Sequence, residues 1–122
     1  ATTDFDWLSR DRQQVQAYID DPACGHLCTT QLWIDLMSGL IEISRNNALA
    51  AIPSKLPILL IAGDKDPVGQ FGKGVERLAQ QLRQTGHHNV TCQLYADARH
   101  ELLNETNAEQ VRGDILHWLS AL

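Results

Sequence analysis

The sequence predicts an α/β fold, a helical first part followed by parallel strands with flanking helices. Three observations carry this expectation. Ile58-Leu-Leu-Ile-Ala62 is a continuous apolar run closed by Gly63, the pattern of a strand covered on both faces in a parallel sheet. Val90, Cys92 and Leu94 then alternate with Thr91, Gln93 and Tyr95 as a second strand. Between and after these runs, apolar residues recur at the helical period. With 122 residues, 43% hydrophobic and 20% charged, the chain is expected to bury a core as one compact unit rather than two.

Taken in order, Ser9 is expected to cap a short helix on which Val15, Tyr18 and Ile19 share a face. Asp21-Pro22 stops it, because a residue before proline avoids the helical region. Thr29 or Thr30 caps a longer helix with Trp33, Leu36, Met37, Leu40, Ile41 and Ser44 at helical spacing, ending near Asn46-Asn47. Its aromatic and Met stripe is read first as core, with a lid or acyl-contacting wall as the functional alternative. The character of the chain changes at Pro53, which separates a helical stretch, residues 1–52, from a strand-helix-strand-helix stretch, residues 53–122. After the first strand comes a helix with Val75, Leu78, Ala79 and Leu82 on one face and Gly86 as its stop. Thr106-Asn-Ala-Glu109 reads as a capping box for a last helix bearing Val111, Ile115, Trp118, Leu119 and Leu122.

A strand-helix-strand unit in one sheet is parallel, so the loops after both strands leave from the same carboxyl edge. Asp66 and His100, 34 positions apart, are thereby expected on one rim. A histidine acts as a general base when its other ring nitrogen donates to a carboxylate, which fixes the tautomer and stabilises the imidazolium. On residue types alone the plainer reading stands beside this one. With 5 histidines and 15 acids, chance pairs are common, and Asp66 could merely cap a turn while His100 bonds at the surface.

Charge and composition exclude other classes. A formal charge of −5 without a basic run argues against nucleic acid. The longest apolar stretch, residues 56 to 62, is interrupted by Pro57 and is far short of the roughly 20 residues of a membrane span, so a soluble chain is expected. Cys24, Cys28 and Cys92 are an odd number, which fits a reducing, cytoplasmic setting better than a disulfide framework. Cys24-Gly-His26-Leu-Cys28 lacks a second ligand pair at finger-like distance, so no metal is expected. His87-His88 offers too few ligands and reads as a solvated turn. Gly69-Gln-Phe-Gly72-Lys73-Gly74 invites a phosphate-loop reading, but Pro67 and Gly74 occupy positions that such a loop gives to Gly and Ser or Thr.

Several motifs together carry a resemblance: Thr3-Asp-Phe-Asp-Trp-Leu-Ser-Arg-Asp11, Asp21-Pro-x-Cys-Gly25, Leu56-Pro-x-Leu-Leu-Ile-x-Gly-x-x-Asp-Pro-Val68, Leu94-Tyr-x-x-Ala-Arg-His-Glu101 and Asn104-Glu105. They resemble the carboxyl-terminal part of the α/β-hydrolase superfamily, in its lysophospholipase and monoacylglycerol lipase-like branch, also described as serine aminopeptidase S33-like. The resemblance implies that Asp66 is the triad acid and His100 the triad base. Asp64, the nearest competitor as acid, sits too close to the strand to match the motif. It further implies that residues 1 to about 45 belong to a cap over the pocket, with Trp7, Leu8, Trp33 and Met37 as candidates for its wall. Residues 53–122 would be the last β-α-β-α part of the core.

One departure shapes the expectation most. The family's nucleophile sits in Gly-x-Ser-x-Gly on a strand-to-helix elbow, and these 122 residues contain no such motif. Ser38, in Leu36-Met-Ser-Gly-Leu40, has Gly on one side only and falls mid-helix. Because the order in this fold is Ser, acid, His, the nucleophile is expected upstream of residue 1, with this chain alone inactive. Two strands are also too few for a stable sheet, so a preceding portion of the enzyme or a second copy is expected to complete it. The expected chemistry is hydrolysis of a small acyl ester or lipid through an acyl-enzyme, with no cofactor. The alternative is a non-catalytic module of the same fold that binds a ligand or a protein.

Overall fold

The computed structural model describes residues 2–122. Helix α1 (Arg12–Asp20) is followed by α2 (Thr30–Ile43) and α3 (Asn46–Ala50). Strand β1 (Ile58–Gly63), helix α4 (Lys73–Gln84), strand β2 (Val90–Tyr95), a 3-10 turn at Leu102–Asn104 and helix α5 (Ala108–Ser120) complete the chain. The strands are parallel and in register from Ile58 opposite Val90 to Gly63 opposite Tyr95. Helix α4 makes the crossover that parallel pairing requires. Among the described residues no helix is long and apolar enough to cross a membrane.

The pleat of β1 sends alternate side chains to opposite faces, and each face meets a separate core. On one, Ile58, Leu60 and Cys92 pack against Leu49, Ala79, Leu82 and Val90, so α3 and α4 cover the sheet. On the other, Ile61 and Ile115 pack against Tyr95, Ala98, Leu102 and Val111. Coverage is incomplete: Ala62 and Gly63 are buried, whereas Ile58 to Ile61 are only half-buried.

Local chemistry explains where elements begin and end. Helix α4 stops in a Schellman arrangement: Gly86 adopts φ +101°, Gly86 N–H donates to Arg83 O, and His87 N–H to Leu82 O. His87 is fully buried, contrary to its reading as a solvated turn residue. Its Nδ1 lies 3.1 Å from Leu82 O and its Nε2 2.9 Å from Ile52 O, so it ties the end of α4 to the segment entering β1. His88 is exposed.

Five further expectations are corrected. Asp11, not Ser9, caps α1, accepting from Gln13 N–H. Ser9 is buried and accepts from Asp11 N–H while donating to Asn104 O. The long helix ends at Ile43, because Arg45 turns extended and α3 starts afresh at Asn46. Its Trp33, Leu36, Met37, Leu40 and Ile41 form no core: every residue of α2 is exposed, since among the described residues no element covers that stripe. The capping box does not form. Glu109 pairs instead with Arg112, Asn107 takes the cap position without a side-chain bond, and Thr106 N–H donates to Glu105. On α5, Val111 is buried and Ile115 packs beside it, but Leu119 is exposed, as is Leu122 past the end of the helix.

Candidate active site

The register of the two strands brings the loops that follow them together. Asp64 N–H donates to Tyr95 O and Lys65 N–H to Ala98 O, so the loop after β1 lies against the loop after β2. Their approach is so close that a Cβ on Gly63 would stand 2.1 Å from Ala98 O.

From these loops Asp66 and His100 meet. His100 Nδ1 lies 3.0 Å from Asp66 Oδ2, within the reach of a charge-assisted hydrogen bond. The Asp66 side chain is 9% exposed and that of His100 38%, so the carboxylate is sheltered while the imidazole opens to the surface. The other carboxylate oxygen, Oδ1, accepts from Val68 N–H at 2.9 Å, and Phe71 N–H returns to Asp66 O. The acid is thus fixed by its own turn. Gly69 keeps that turn tight, since a Cβ there would lie 3.1 Å from Asp66 Oδ2. Among the described residues Nε2 of His100 has no hydrogen-bond partner, which leaves it free to exchange a proton when Nδ1–H donates to Asp66.

Asp64 serves another purpose. Its Oδ1 accepts from Asp97 N–H at 2.7 Å and its Oδ2 lies 3.5 Å from Lys65 Nζ, so it closes the turn after β2 and makes no contact with His100.

The four candidate wall residues have different fates. Trp7 packs on the base, with its ring centroid 5.0 Å from that of His100 and the planes inclined by 50°. Leu8 is 3% exposed, so its side chain packs inside and does not present a surface to a ligand. Trp33 and Met37 stand exposed on α2, with neither hydrogen bond nor ring contact joining them to the Asp66–His100 pair. Ser38 is exposed in the middle of the same helix, where no strained elbow exists. Cys24, Cys28 and Cys92 are free thiols, and no group of three metal-ligating side chains occurs among the described residues.

Sequence reasoning missed the network behind His100. Glu105 is buried and accepts from Arg99 N–H and Arg10 N–H through Oε1, and from Arg10 Nε–H and Thr106 N–H through Oε2. Burial pushes this carboxyl up, but the backbone amides and the Arg10 guanidinium outweigh it and hold it below the ordinary glutamate value. The adjacent dipeptide Asn104-Glu105 was the only signal, and nothing in its sequence position reveals a partner 95 residues away.

Comparison with known proteins shows the family of the chain. The profile of the family described as serine aminopeptidase, S33, matches residues 1–107. The monoacylglycerol lipase of Mycolicibacterium smegmatis is 29% identical over 119 residues, 95% of this chain and 39% of its own length. Among solved structures, a thermostable carboxyl esterase from Bacillus coagulans in complex with glycerol superposes with a TM-score of 0.85 at 31% identity, covering 99% of this chain and 40% of that one. A lipase in an open form gives 0.84 at 30% identity, covering 94% of this chain and 37% of that one. The fold alone is shared with the Paleococcus ferrophilus monoacylglycerol lipase, at 0.77 and 23% identity, over 98% of this chain and 44% of that one. The chain therefore spans about two fifths of the relatives it matches.

Proposed function

Because the chain belongs to the serine aminopeptidase S33 family of α/β-hydrolases, we propose that it is the acid-and-base part of a serine hydrolase that cleaves carboxylic esters of monoacyl lipids. The observation that carries this reading is the 3.0 Å contact between His100 Nδ1 and the sheltered carboxylate of Asp66. Asp66 holds the imidazole in the tautomer with a proton on Nδ1, leaving the lone pair on Nε2. Nε2 takes the proton of a serine hydroxyl as that oxygen attacks the ester carbonyl, and Asp66 stabilises the imidazolium that forms. The imidazolium then protonates the leaving alcohol. Water, deprotonated by the same nitrogen, releases the acid from the acyl-enzyme. No group beyond these is needed for acyl transfer, given backbone amides to hold the oxyanion.

The serine belongs, in this reading, to a segment preceding residue 1 in the full-length protein. Two points support it: Gly-x-Ser-x-Gly is absent from these 122 residues, and the nucleophile comes before the acid in this fold. Residues up to about 45 act as part of a cap, with Trp7 at its edge facing the base and Trp33 and Met37 as apolar contacts for the acyl chain. The monoacyl glycerol class is suggested by the M. smegmatis relative, a monoacylglycerol lipase.

The test is ester hydrolysis by the full-length protein. His100→Ala is expected to lower kcat on a monoacylglycerol by roughly 10⁴-fold or more, and Asp66→Asn by a similar order because it favours the wrong tautomer. Retention of near wild-type turnover by His100→Ala would exclude the mechanism. A full-length protein without any Gly-x-Ser-x-Gly would favour a binding module instead.

A further inference from the structure

We propose that Glu105 is a positioning residue for His100: its buried carboxylate clamps the loop that carries the imidazole to the N-terminal segment whose Trp7 ring packs on that imidazole. The proposal rests on the reading of His100 as general base.

Two segments far apart in sequence meet at Glu105. One is the loop after β2, in which Arg99 immediately precedes His100. The other runs from Asp6 to Arg10 and carries Trp7. A single oxygen, Oε1, accepts from Arg99 N–H at 2.9 Å and from Arg10 N–H at 3.0 Å, so one atom sets the distance between the two backbones. The second oxygen accepts from Arg10 Nε–H at 2.8 Å and from Thr106 N–H at 2.9 Å. Arg10 itself is steadied by Asn107, whose Oδ1 accepts from Nη2.

The seam continues to the imidazole. His100 N–H donates to Trp7 O and Glu101 N–H to Leu8 O. Arg99 Nη1–H donates to Ser9 O and to Asp6 O. His100 is therefore held on two sides, by Asp66 at Nδ1 and by Trp7 against its ring. Asp66 reaches only one atom and leaves the ring free to swing about that bond. The Trp7 face removes this freedom, and Trp7 stays in place because Arg10, three residues on, is anchored to the same carboxylate as the base's own loop.

The chemistry of the clamp demands a carboxylate. All four bonds run into oxygen, and a Gln side chain would put an amide N–H₂ against Arg10 Nε–H and Thr106 N–H, donor facing donor. Displacement of a general base by an ångström can cost on the order of a hundredfold in rate, so loosening this seam should appear in turnover before it appears in substrate binding.

The experiment uses the full-length protein with Glu105→Gln and the milder Arg10→Met, which keeps the Arg10 backbone bond but loses the one from Nε. Ester hydrolysis is normalised to active sites counted with a fluorophosphonate probe and followed across pH, and the Nδ1 proton of His100 is observed by NMR at low field. Glu105→Gln is expected to lower kcat per titrated site by roughly 10- to 100-fold with KM within about twofold. It should also displace the acidic limb of the pH profile and broaden or abolish the Nδ1 proton resonance. Arg10→Met should move the same quantities in the same direction by less. Unchanged kcat per site, pH limb and resonance, however far the unfolding temperature drops, would make Glu105 a purely structural tie and overturn the proposal. If Glu105→Gln fails to fold, Arg10→Met decides by the same criteria. If the wild-type protein hydrolyses no ester, the hydrolase reading falls, and the resonance alone still decides whether Glu105 orders His100.

Discussion

Gly63 shows how a single residue conditions the candidate site. It is the last residue of β1, opposite Tyr95, and a methyl group there would stand 2.1 Å from Ala98 O and 2.4 Å from Arg99 O. Backbone cannot yield as a flexible side chain does, so Gly63→Ala is expected to destabilise the fold by on the order of 3 kcal/mol, measured by denaturant unfolding. A shift within about 0.5 kcal/mol would show that the two loops are not locked together. Glu105 gives the pH dependence its sign. Its carboxyl is held below the ordinary value by the amides of Arg99, Arg10 and Thr106 and by the Arg10 guanidinium, against the upward push of burial. A carboxylate whose folded pKa is depressed adds stability above the unfolded value, about 4.3, and loses it as pH falls through the folded value. Below about pH 5, wild-type stability should therefore fall more steeply than that of Glu105→Gln, as read from unfolding midpoints across pH. Parallel curves would remove Glu105 from the acid response.

The elements differ in how firmly they are held. Helix α4 buries Ala79 and Leu82 against the sheet, and His87 ties its end to Ile52. Helix α2 buries nothing, although Leu32, Trp33, Ile34, Leu36, Met37, Leu40, Ile41 and Ile43 make it strongly apolar. A helix without a packed face lacks the main source of helical stability in proteins. In the 122-residue chain, amides of α2 are thus expected to exchange with solvent markedly faster than those of α4 and β1, as measured by hydrogen exchange. Equal protection of α2 and α4 would show that something covers α2 in solution. In sequence α2 looks like the best core helix of the chain, because periodicity reports a face fit for burial and not the neighbour that buries it.

For the whole molecule, the consequence is an unfinished surface. Among the described residues each strand has one partner, so one edge of β1 and one of β2 carry unpaired backbone groups, and the apolar side chains of α2 lie open as well. We expect the isolated 122-residue chain to associate through these surfaces, and the full-length protein to cover them with its own sheet. Light scattering over a wide concentration range checks this: a stable monomer throughout would show that two strands and five helices close their own core.

The sequence by itself determined the alternation of strand and helix after Pro53 and the parallel pairing, and hence that Asp66 and His100 share one edge of the sheet. These follow from local signals: an apolar run ended by Gly63, an alternating run, and a helix stopped by Gly86, with crossover geometry doing the rest. The tertiary structure alone decided what depends on contacts between remote segments. Asp64 turned out to close the neighbouring turn, His87 to be buried, Leu8 to be core and the α2 stripe to be bare. Above all, Glu105 emerged as the meeting point of Arg10 and Arg99. A buried carboxylate is written no differently from an exposed one, because its cost and its partners arise only when chain from both ends of the sequence converges on it.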